Sequence, residues 1–255
     1  MSNIKKAFEN KKAFIPFITC GYPDINTTVH IVKEAVKNGA DIIELGIPFS
    51  DPTAEGPVIQ NANIKALESG VTTDKIFDMV KELRRDVTVP FVFMTYANVV
   101  FSYGIEKFAC FCSKAGVDGI ILPDVPYEEK EEFAEIFHKY NVDFISMVAP
   151  TSKKRIAKIA KDAEGFLYVV SSLGVTGTRK EITTDLQSII SVVRENCNIP
   201  CAIGFGISTP NQAHKMAQLS DGAIVGSAII KLIEKYGVNS PKYVGEYVRS
   251  IKESL

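Results

Sequence analysis

The sequence predicts an α/β protein, a single-domain (β/α)8 TIM barrel over residues 1–255 with extra helices in the N-terminal region and after the second strand. Short apolar runs alternate with amphipathic stretches along the whole chain, which is the pattern of repeated βα units around a parallel sheet. We count eight such units in 255 residues, the usual length of a closed barrel. Because no low-complexity linker divides the chain, we expect one domain.

The predicted strands are residues 14–18, 41–45, 90–95, 118–123, 143–149, 166–171, 200–204 and 222–226. The stretches between them have helical periodicity, as in TTVHIVKEAVKNG, where a glycine after Asn38 closes the helix. A doubly wound sheet is the main alternative to the barrel fold. Its phosphate fingerprint is missing, because Gly204-Phe205-Gly206 lacks the third glycine and does not follow the first strand.

Composition narrows the classes of function. Hydrophobic residues make up 46% of the chain, charged residues 23%, and the net charge is -1, which gives no electrostatic basis for nucleic acid or an anionic membrane as a partner. The N-terminal stretch MSNIKKAFENKKAF lacks the apolar segment of a signal peptide, so we expect a cytoplasmic protein. Its partners are then small molecules or another protein.

Cysteine and histidine usage argues against disulfides, a metal site and a Ser-His-Asp triad. The five cysteines are odd in number without CxxC spacing, and each histidine falls within a helical pattern. These residues are Cys20, Cys110, Cys112, Cys197, Cys201, His30, His138 and His214.

Two long connections follow predicted strands, one from Gly46 to Pro90 and one from Ser171 to Asp185. In barrel enzymes the loops after strand C-termini carry the chemistry, and long ones often act as lids. Glycines also close the last two strands, at Gly206 and at Gly226-Ser227 before a helix. Backbone N–H groups at such a helix start favour a phosphate site, although tight turns alone would also explain these glycines.

Three carboxylates lie in or just after the second strand, in the stretch IELGIPFSDPTAEGP (residues 43–57). Glu44 lies within the strand; a desolvated carboxyl there would hold its proton near neutral pH and act as a general acid. The alternative is an ion pair with a lysine, but no lysine falls in the predicted strands. For Asp51 a turn role is at least as good an explanation, and for Glu55 simple exposure stays open.

These residues belong to a recognisable set. IELGIPFSDPTAEGP, with IPFITCGYPD, MTYANVVF, LPDVP, SLGVTG, GFGIS and VGSAIIKLIE in this order, resembles the tryptophan synthase α-subunit family. The resemblance implies a (β/α)8 barrel that cleaves indole-3-glycerol phosphate to indole and glyceraldehyde 3-phosphate by a retro-aldol reaction. It further implies an α2β2 complex in which the β subunit carries pyridoxal phosphate, so that this chain needs no cofactor of its own.

The resemblance also assigns roles to residues. It implies that Glu44 is the acid/base that protonates indole C3 and takes the glycerol hydroxyl proton, and that Glu55, where the family commonly has Asp, holds the indole N–H. It makes Asp51 and Thr176 a pair that closes the two long loops. The remaining implied residues are walls or neighbours of the indole pocket (Phe17, Tyr96, Tyr168 and Phe205) and the phosphate cradle (Gly177, Gly206, Gly226 and Ser227).

Alternative functions stay open on the sequence. A stand-alone indole-releasing lyase would share the same residues, although Tyr96-Ala97-Asn98 and Asp124-Val125-Pro126 match the family's partner-facing loops. A weakly active barrel that mainly activates a β subunit is a second alternative, kept open by the Glu at position 55. Another phosphate-binding barrel would be expected to carry a catalytic lysine at a strand end, and none is found at the predicted strands.

Overall fold

The computed structural model describes residues 3–171, 185–204 and 206–255, and in this part of the chain every paired strand is parallel. The strands are β1 (Ala13–Thr19), β2 (Ile43–Gly46), β3 (Phe91–Met94), β4 (Gly119–Ile121), β5 (Asp143–Phe144), β6 (Met147–Val148), β7 (Leu167–Val170), β8 (Cys201–Gly204) and β9 (Gly222–Val225). Their order in the sheet is β5-β4-β3-β2-β1-β9-β8-β7-β6.

The predicted fifth strand is divided into β5 and β6, and this segment closes the barrel. β5 pairs with β4, whereas β6 pairs with β7. The two residues between them keep the backbone bonding: Ile145 N donates to Ile120 O at 2.9 Å, and Ser146 O accepts from Tyr168 N at 3.0 Å. The two ends of the sheet are thus consecutive in the chain, and the predicted eight-stranded barrel is confirmed.

Helices follow the strands and cover the outside of the sheet. They are α1 (Asn3–Lys6), α2 (Ile25–Lys37), α3 (Pro57–Glu68), α4 (Thr73–Leu83), α5 (Ala97–Tyr103), α6 (Ile105–Ala115), α7 (Glu131–Lys139), α8 (Lys153–Lys161), α9 (Leu186–Asn196), α10 (Pro210–Leu219), α11 (Ser227–Tyr236) and α12 (Ser240–Lys252). The extra helices are therefore where the sequence predicted them: α1 precedes the first strand, and both α3 and α4 lie between β2 and β3. None of the helices in the described residues combines the length and the apolar composition of a membrane-spanning segment.

Local sequence explains where helix α2 begins and ends. Asp24 caps α2 by accepting a hydrogen bond from Thr27 N at 2.7 Å, which satisfies one of the free N–H groups of the first turn. The buried residues Val29, Ile31, Val32 and Ala35 then face the barrel. At the other end, Gly39 takes a φ of 105°, a conformation that stops the helix and that glycine adopts readily.

The strands are buried on both faces because helices cover the outside and side chains fill the inside. All seven residues of β1 and all four of β2 are buried. The β1–β2 register pairs Phe17 with Glu44, so one carboxyl lies in an otherwise apolar barrel near its C-terminal end.

Asp41 anchors the N-terminal end of β2 rather than belonging to the strand. This buried carboxylate accepts hydrogen bonds from Phe14 N at 2.8 Å, from Lys11 Nζ at 2.6 Å and from Lys252 Nζ at 2.7 Å. Since each oxygen has a cationic or amide partner, the charge is compensated. Asp41 therefore ties β1, β2 and α12 together at the end of the barrel opposite the candidate site.

Candidate active site

A cavity at the C-terminal end of the barrel brings together most of the predicted site residues. Its lining includes Glu44 of β2, Glu55 of the following loop, and Ser227 at the start of α11. The other lining residues are Phe17, Ile59, Met94, Tyr168, Gly206, Ile207, Ile224 and Gly226. Two carboxyls, two aromatic rings and a helix N-terminus thus face one space, as expected for chemistry at this end of a barrel.

Among the described residues, no positive charge compensates the carboxyl of Glu44. Its exposed fraction is 1%, and within the described residues its Oε2 has no hydrogen-bond partner. Burial raises the pKa of this carboxyl to about 8, and the negative charge of Glu55 adds to the rise. The alternative of an ion pair with a lysine is not found among these residues, so no nearby positive charge lowers the pKa. Glu44 therefore holds a proton at neutral pH that it can donate.

Glu55 is buried too, which excludes the alternative of simple exposure. Its exposed fraction is 4%. The side chain accepts a hydrogen bond at Oε2 from Asn63 Nδ2 at 2.6 Å, and its backbone oxygen accepts from Gln60 Nε2 at 2.7 Å. Burial raises the pKa of Glu55 to about 7, while the Asn63 hydrogen bond opposes the rise. This carboxyl therefore loses its proton more easily than Glu44 does.

Tyr96 supports the loop that carries Glu55. Its phenol oxygen accepts a hydrogen bond from Ala54 N at 3.2 Å, and its ring stacks on Phe49 with centroids 5.2 Å apart. Burial of the ring raises the pKa of its hydroxyl, and the negative charge of Glu55 adds to the rise. Tyr96 thus lies beside the carboxylate, behind the loop rather than in the cavity lining.

Two glycines make room for the aromatic rings of the cavity. A Cβ atom on Gly46 would lie 2.5 Å from Phe17 Cζ, and one on Gly204 would lie 2.4 Å from the Tyr168 hydroxyl oxygen. Both distances are shorter than any side chain tolerates. Phe17 and Tyr168 therefore lean over the ends of β2 and β8, where they form flat apolar walls of the cavity.

The described residues of the predicted phosphate cradle line the same cavity. Gly226 is the N-cap of α11, Ser227 is its first residue, and both line the cavity. Gly206 has a φ of 81°, a value that favours glycine. The free N–H groups and the positive end of the ten-residue helix α11 make this corner suitable for a phosphate.

Other predicted residues are not placed in the cavity. Asp51 is exposed, and its carboxylate accepts a hydrogen bond from the neighbouring Ser50 hydroxyl. Thr176, Gly177 and Phe205 lie outside the described residues. Closure of the loops by Asp51 and Thr176 consequently stays a prediction, as do the roles of Gly177 and Phe205.

Sequence reasoning missed several residues at the site. Ile59, Met94, Ile207 and Ile224 complete the apolar lining, and Asn63 contacts Glu55. The spacing of Ile59 and Asn63, four residues apart in α3, could have indicated that both face the barrel. As for metals, the described residues contain no group of three His, Cys, Asp or Glu side chains placed to hold an ion.

Comparison with known proteins identifies relatives along the whole chain. The family model described as tryptophan synthase alpha chain matches residues 2–253. A tryptophan synthase alpha chain from Lacticaseibacillus casei is 47% identical over 255 residues, covering 100% of this chain and 96% of that protein. The crystal structure of tryptophan synthase subunit alpha from Legionella pneumophila superimposes with a TM-score of 0.90 at 36% identity, covering 100% of this chain and 98% of the other. A tryptophan synthase complex from Pyrococcus furiosus contains a chain with a TM-score of 0.87 and 32% identity, covering 94% and 98% respectively.

Proposed function

The chain belongs to the tryptophan synthase alpha chain family, and we propose that Glu44 and Glu55 perform the acid–base chemistry of its reaction. The reaction is the cleavage of indole-3-glycerol phosphate to indole and glyceraldehyde 3-phosphate, a carbon–carbon lyase step in tryptophan biosynthesis. The observation that carries the proposal is the placement of two buried carboxyls of different pKa in one cavity with a helix N-terminus.

The bond to be broken joins indole C3 to the glycerol phosphate side chain, and it breaks only when C3 becomes a leaving group. Glu44 starts protonated and donates its proton to C3, which places positive charge on the ring nitrogen. Its carboxylate then takes the proton of the side-chain hydroxyl next to the bond. The C–C electron pair returns to the ring, the hydroxyl carbon becomes an aldehyde, and Glu44 regains its proton.

Glu55 would stabilise the charge that develops on the ring nitrogen. As a carboxylate it accepts a hydrogen bond from the indole N–H, and its negative charge is worth more in a buried cavity than in water. Its pKa of about 7 leaves a substantial ionised fraction at neutral pH, whereas the pKa of Glu44, about 8, keeps that group mostly protonated. A pair of carboxyls with separated pKa values is suited to one acid and one charge-stabilising role.

The rest of the cavity fits the two ends of this substrate. Phe17 and Tyr168 would hold the flat indole, while Gly206, Gly226 and Ser227 at the start of α11 would hold the phosphate. Gly177, Phe205 and the pair Asp51–Thr176 are carried by the family resemblance alone. Fixing both ends of the substrate presents C3 to Glu44 in a reactive geometry.

We further propose that a β subunit carrying pyridoxal phosphate docks on the face formed by α5 and the loop after β4, in an α2β2 complex. Asp124 of that loop accepts hydrogen bonds from Ala97 N at 3.0 and 3.1 Å, which holds the two segments together. Phe101 of α5 is 52% exposed and packs edge-on against Phe133. An exposed aromatic ring on a fixed framework is a common feature of protein interfaces.

Indole release from indole-3-glycerol phosphate by Glu44→Gln and Glu55→Gln tests the catalytic proposal. We expect Glu44→Gln to abolish cleavage with the fold intact, because a carboxamide cannot donate the proton, and Glu55→Gln to lower kcat strongly. The matched control is Glu68→Gln, an exposed residue of α3. Near-normal indole production by Glu44→Gln would exclude the proposed role of that residue.

A further inference from the structure

Asn63 contacts Glu55 directly, although nothing in its sequence context marks it as functional. Its exposed fraction is 2%, and its Nδ2 lies 2.6 Å from Glu55 Oε2. A buried asparagine in the interior of a helix is unfavourable unless its amide finds a partner. Here the partner is one oxygen of a carboxyl group whose side chain lines the cavity.

Helix α3 fixes Glu55 at two points. Gln60, in the second turn of the helix, donates from Nε2 to the Glu55 backbone oxygen at 2.7 Å. Asn63, three residues later, donates to the side chain of the same glutamate. Ile59, one turn before Asn63, lines the cavity, which places this face of α3 against the site. Both the backbone and the carboxyl of Glu55 are therefore held by a helix rather than by its own loop.

We propose that Asn63 is a positioning residue for the lyase reaction, which holds one oxygen of Glu55 so that the other faces the ring nitrogen of the substrate. This inference rests on the proposed function of Glu55. The family commonly has aspartate at this position, and glutamate has one more rotatable bond. The hydrogen bond from Asn63 explains how the longer side chain is held in one orientation. The amide takes up Oε2 and leaves Oε1 for the substrate.

The hydrogen bond has an electrostatic consequence as well as a geometric one. An amide N–H donor favours the ionised carboxyl, and it lowers the pKa of Glu55 against the rise caused by burial. Among the described residues, the titratable groups that interact with the Glu55 carboxyl are Glu44 and Tyr96, and Tyr168 interacts in turn with Glu44. Removal of the amide therefore leaves Glu55 with a higher pKa and a smaller ionised fraction at pH 7.

The test is the pH profile of kcat/KM for indole release by Asn63→Leu and Asn63→Ala. Leucine keeps the branched shape and the number of heavy atoms of the side chain without the donor, and alanine provides a second variant should leucine disturb the fold. We expect kcat/KM at pH 7 to fall about tenfold to a hundredfold, since a misplacement of about 1 Å costs about a hundredfold. We also expect the acid limb of the profile to move to higher pH, which a purely structural defect would not cause.

Asn61 provides the matched control on the same helix. Its side chain is exposed and donates to Glu234 on the outer surface at 3.2 Å, so the same two substitutions there should leave the rate and the pH profile unchanged. Asn63→Leu in a Glu55→Gln background should cause no further loss, because residues that act as a unit are not additive.

Two outcomes separate this inference from the function on which it rests. If Glu55→Gln is impaired but folded Asn63→Leu and Asn63→Ala keep the rate and pH profile of the wild type, the positioning role of Asn63 is overturned and the role of Glu55 stands. If Glu55→Gln itself has a normal rate, the proposed function of Glu55 fails, and the positioning role fails with it.

Discussion

Replacement of Glu44 by glutamine should stabilise the protein while it removes the activity. The carboxyl has an ordinary pKa of 4.5 and a folded-state pKa of about 8. The main cause of this rise in pKa is burial. Between these two pH values the folded state keeps a proton that the unfolded state has lost. The folded state therefore binds more protons, and the free energy of unfolding falls as the pH rises through this window.

The magnitude follows from the difference between the two pKa values. One pKa unit corresponds to about 1.4 kcal/mol, so the cost of Glu44 is roughly 3 kcal/mol at pH 7 and about 4 kcal/mol at pH 8. At pH 5 it is below about 1 kcal/mol by the same relation. Glutamine does not titrate and has nearly the same shape, so Glu44→Gln should gain stability by these amounts.

Urea-induced unfolding at pH 5 and pH 8 measures the effect. Circular dichroism is the appropriate probe because the chain contains no tryptophan. The exposed Glu68 provides the control, since surface substitutions usually change stability by less than about 0.5 kcal/mol. A stability difference between Glu44→Gln and the wild type that is equal at the two pH values, or larger at pH 5, would refute the reasoning.

Three further outcomes are expected. The profile of kcat/KM against pH should be bell-shaped, rising as Glu55 loses its proton near pH 7 and falling as Glu44 loses its proton near pH 8. A flat profile from pH 6 to 9 would contradict both assignments. Glu55→Asp should lower kcat/KM by about tenfold or more, because the carboxylate retracts by about 1.5 Å from its Asn63 partner. A faster enzyme would show that the native glutamate is misplaced. Phe101→Asp should weaken the activation of indole release by added β subunit and leave the activity of the isolated chain unchanged. Unaltered activation in a titration with β subunit would place the interface elsewhere.

Much of the barrel could be predicted because its strands are continuous apolar runs. The runs at 14–18 and 166–171 lie over β1 and β7 with differences of one residue at their ends. The predicted second strand began too early, since Asp41 is recruited by Lys11 and Lys252 from distant parts of the chain. No local sequence pattern indicates these two contacts.

The division of the fifth strand is equally a matter of tertiary structure. Residues 143–149 form one apolar run, yet the chain changes partners from β4 to β7 between Ile145 and Ser146. Where a sheet closes on itself is set by the strand tilt of the whole barrel. Periodicity alone carries no information about that position.

At the site, the sequence indicated the residue types but not their environments. Glu44 lies within an apolar strand, where the sequence predicts a general acid if the carboxyl is desolvated, and the structure buries it. Glu55 lies in a loop rich in Gly and Pro, where the sequence leaves exposure equally open, and contacts with α3 hold it in a buried position. Asn63 was missed because a helix position alone does not reveal that an amide faces a carboxyl eight residues earlier.

The most direct test of the account is a titration of the two carboxyls by NMR with ¹³C-labelled glutamate, using Glu44→Gln and Glu55→Gln to assign the signals. The account predicts one carboxyl that titrates near pH 8 and disappears in Glu44→Gln, and one near pH 7 that disappears in Glu55→Gln. If no glutamate titrates above about pH 5.5, where ordinary surface carboxyls have lost their protons, Glu44 holds no proton at neutral pH and its role as the acid is contradicted.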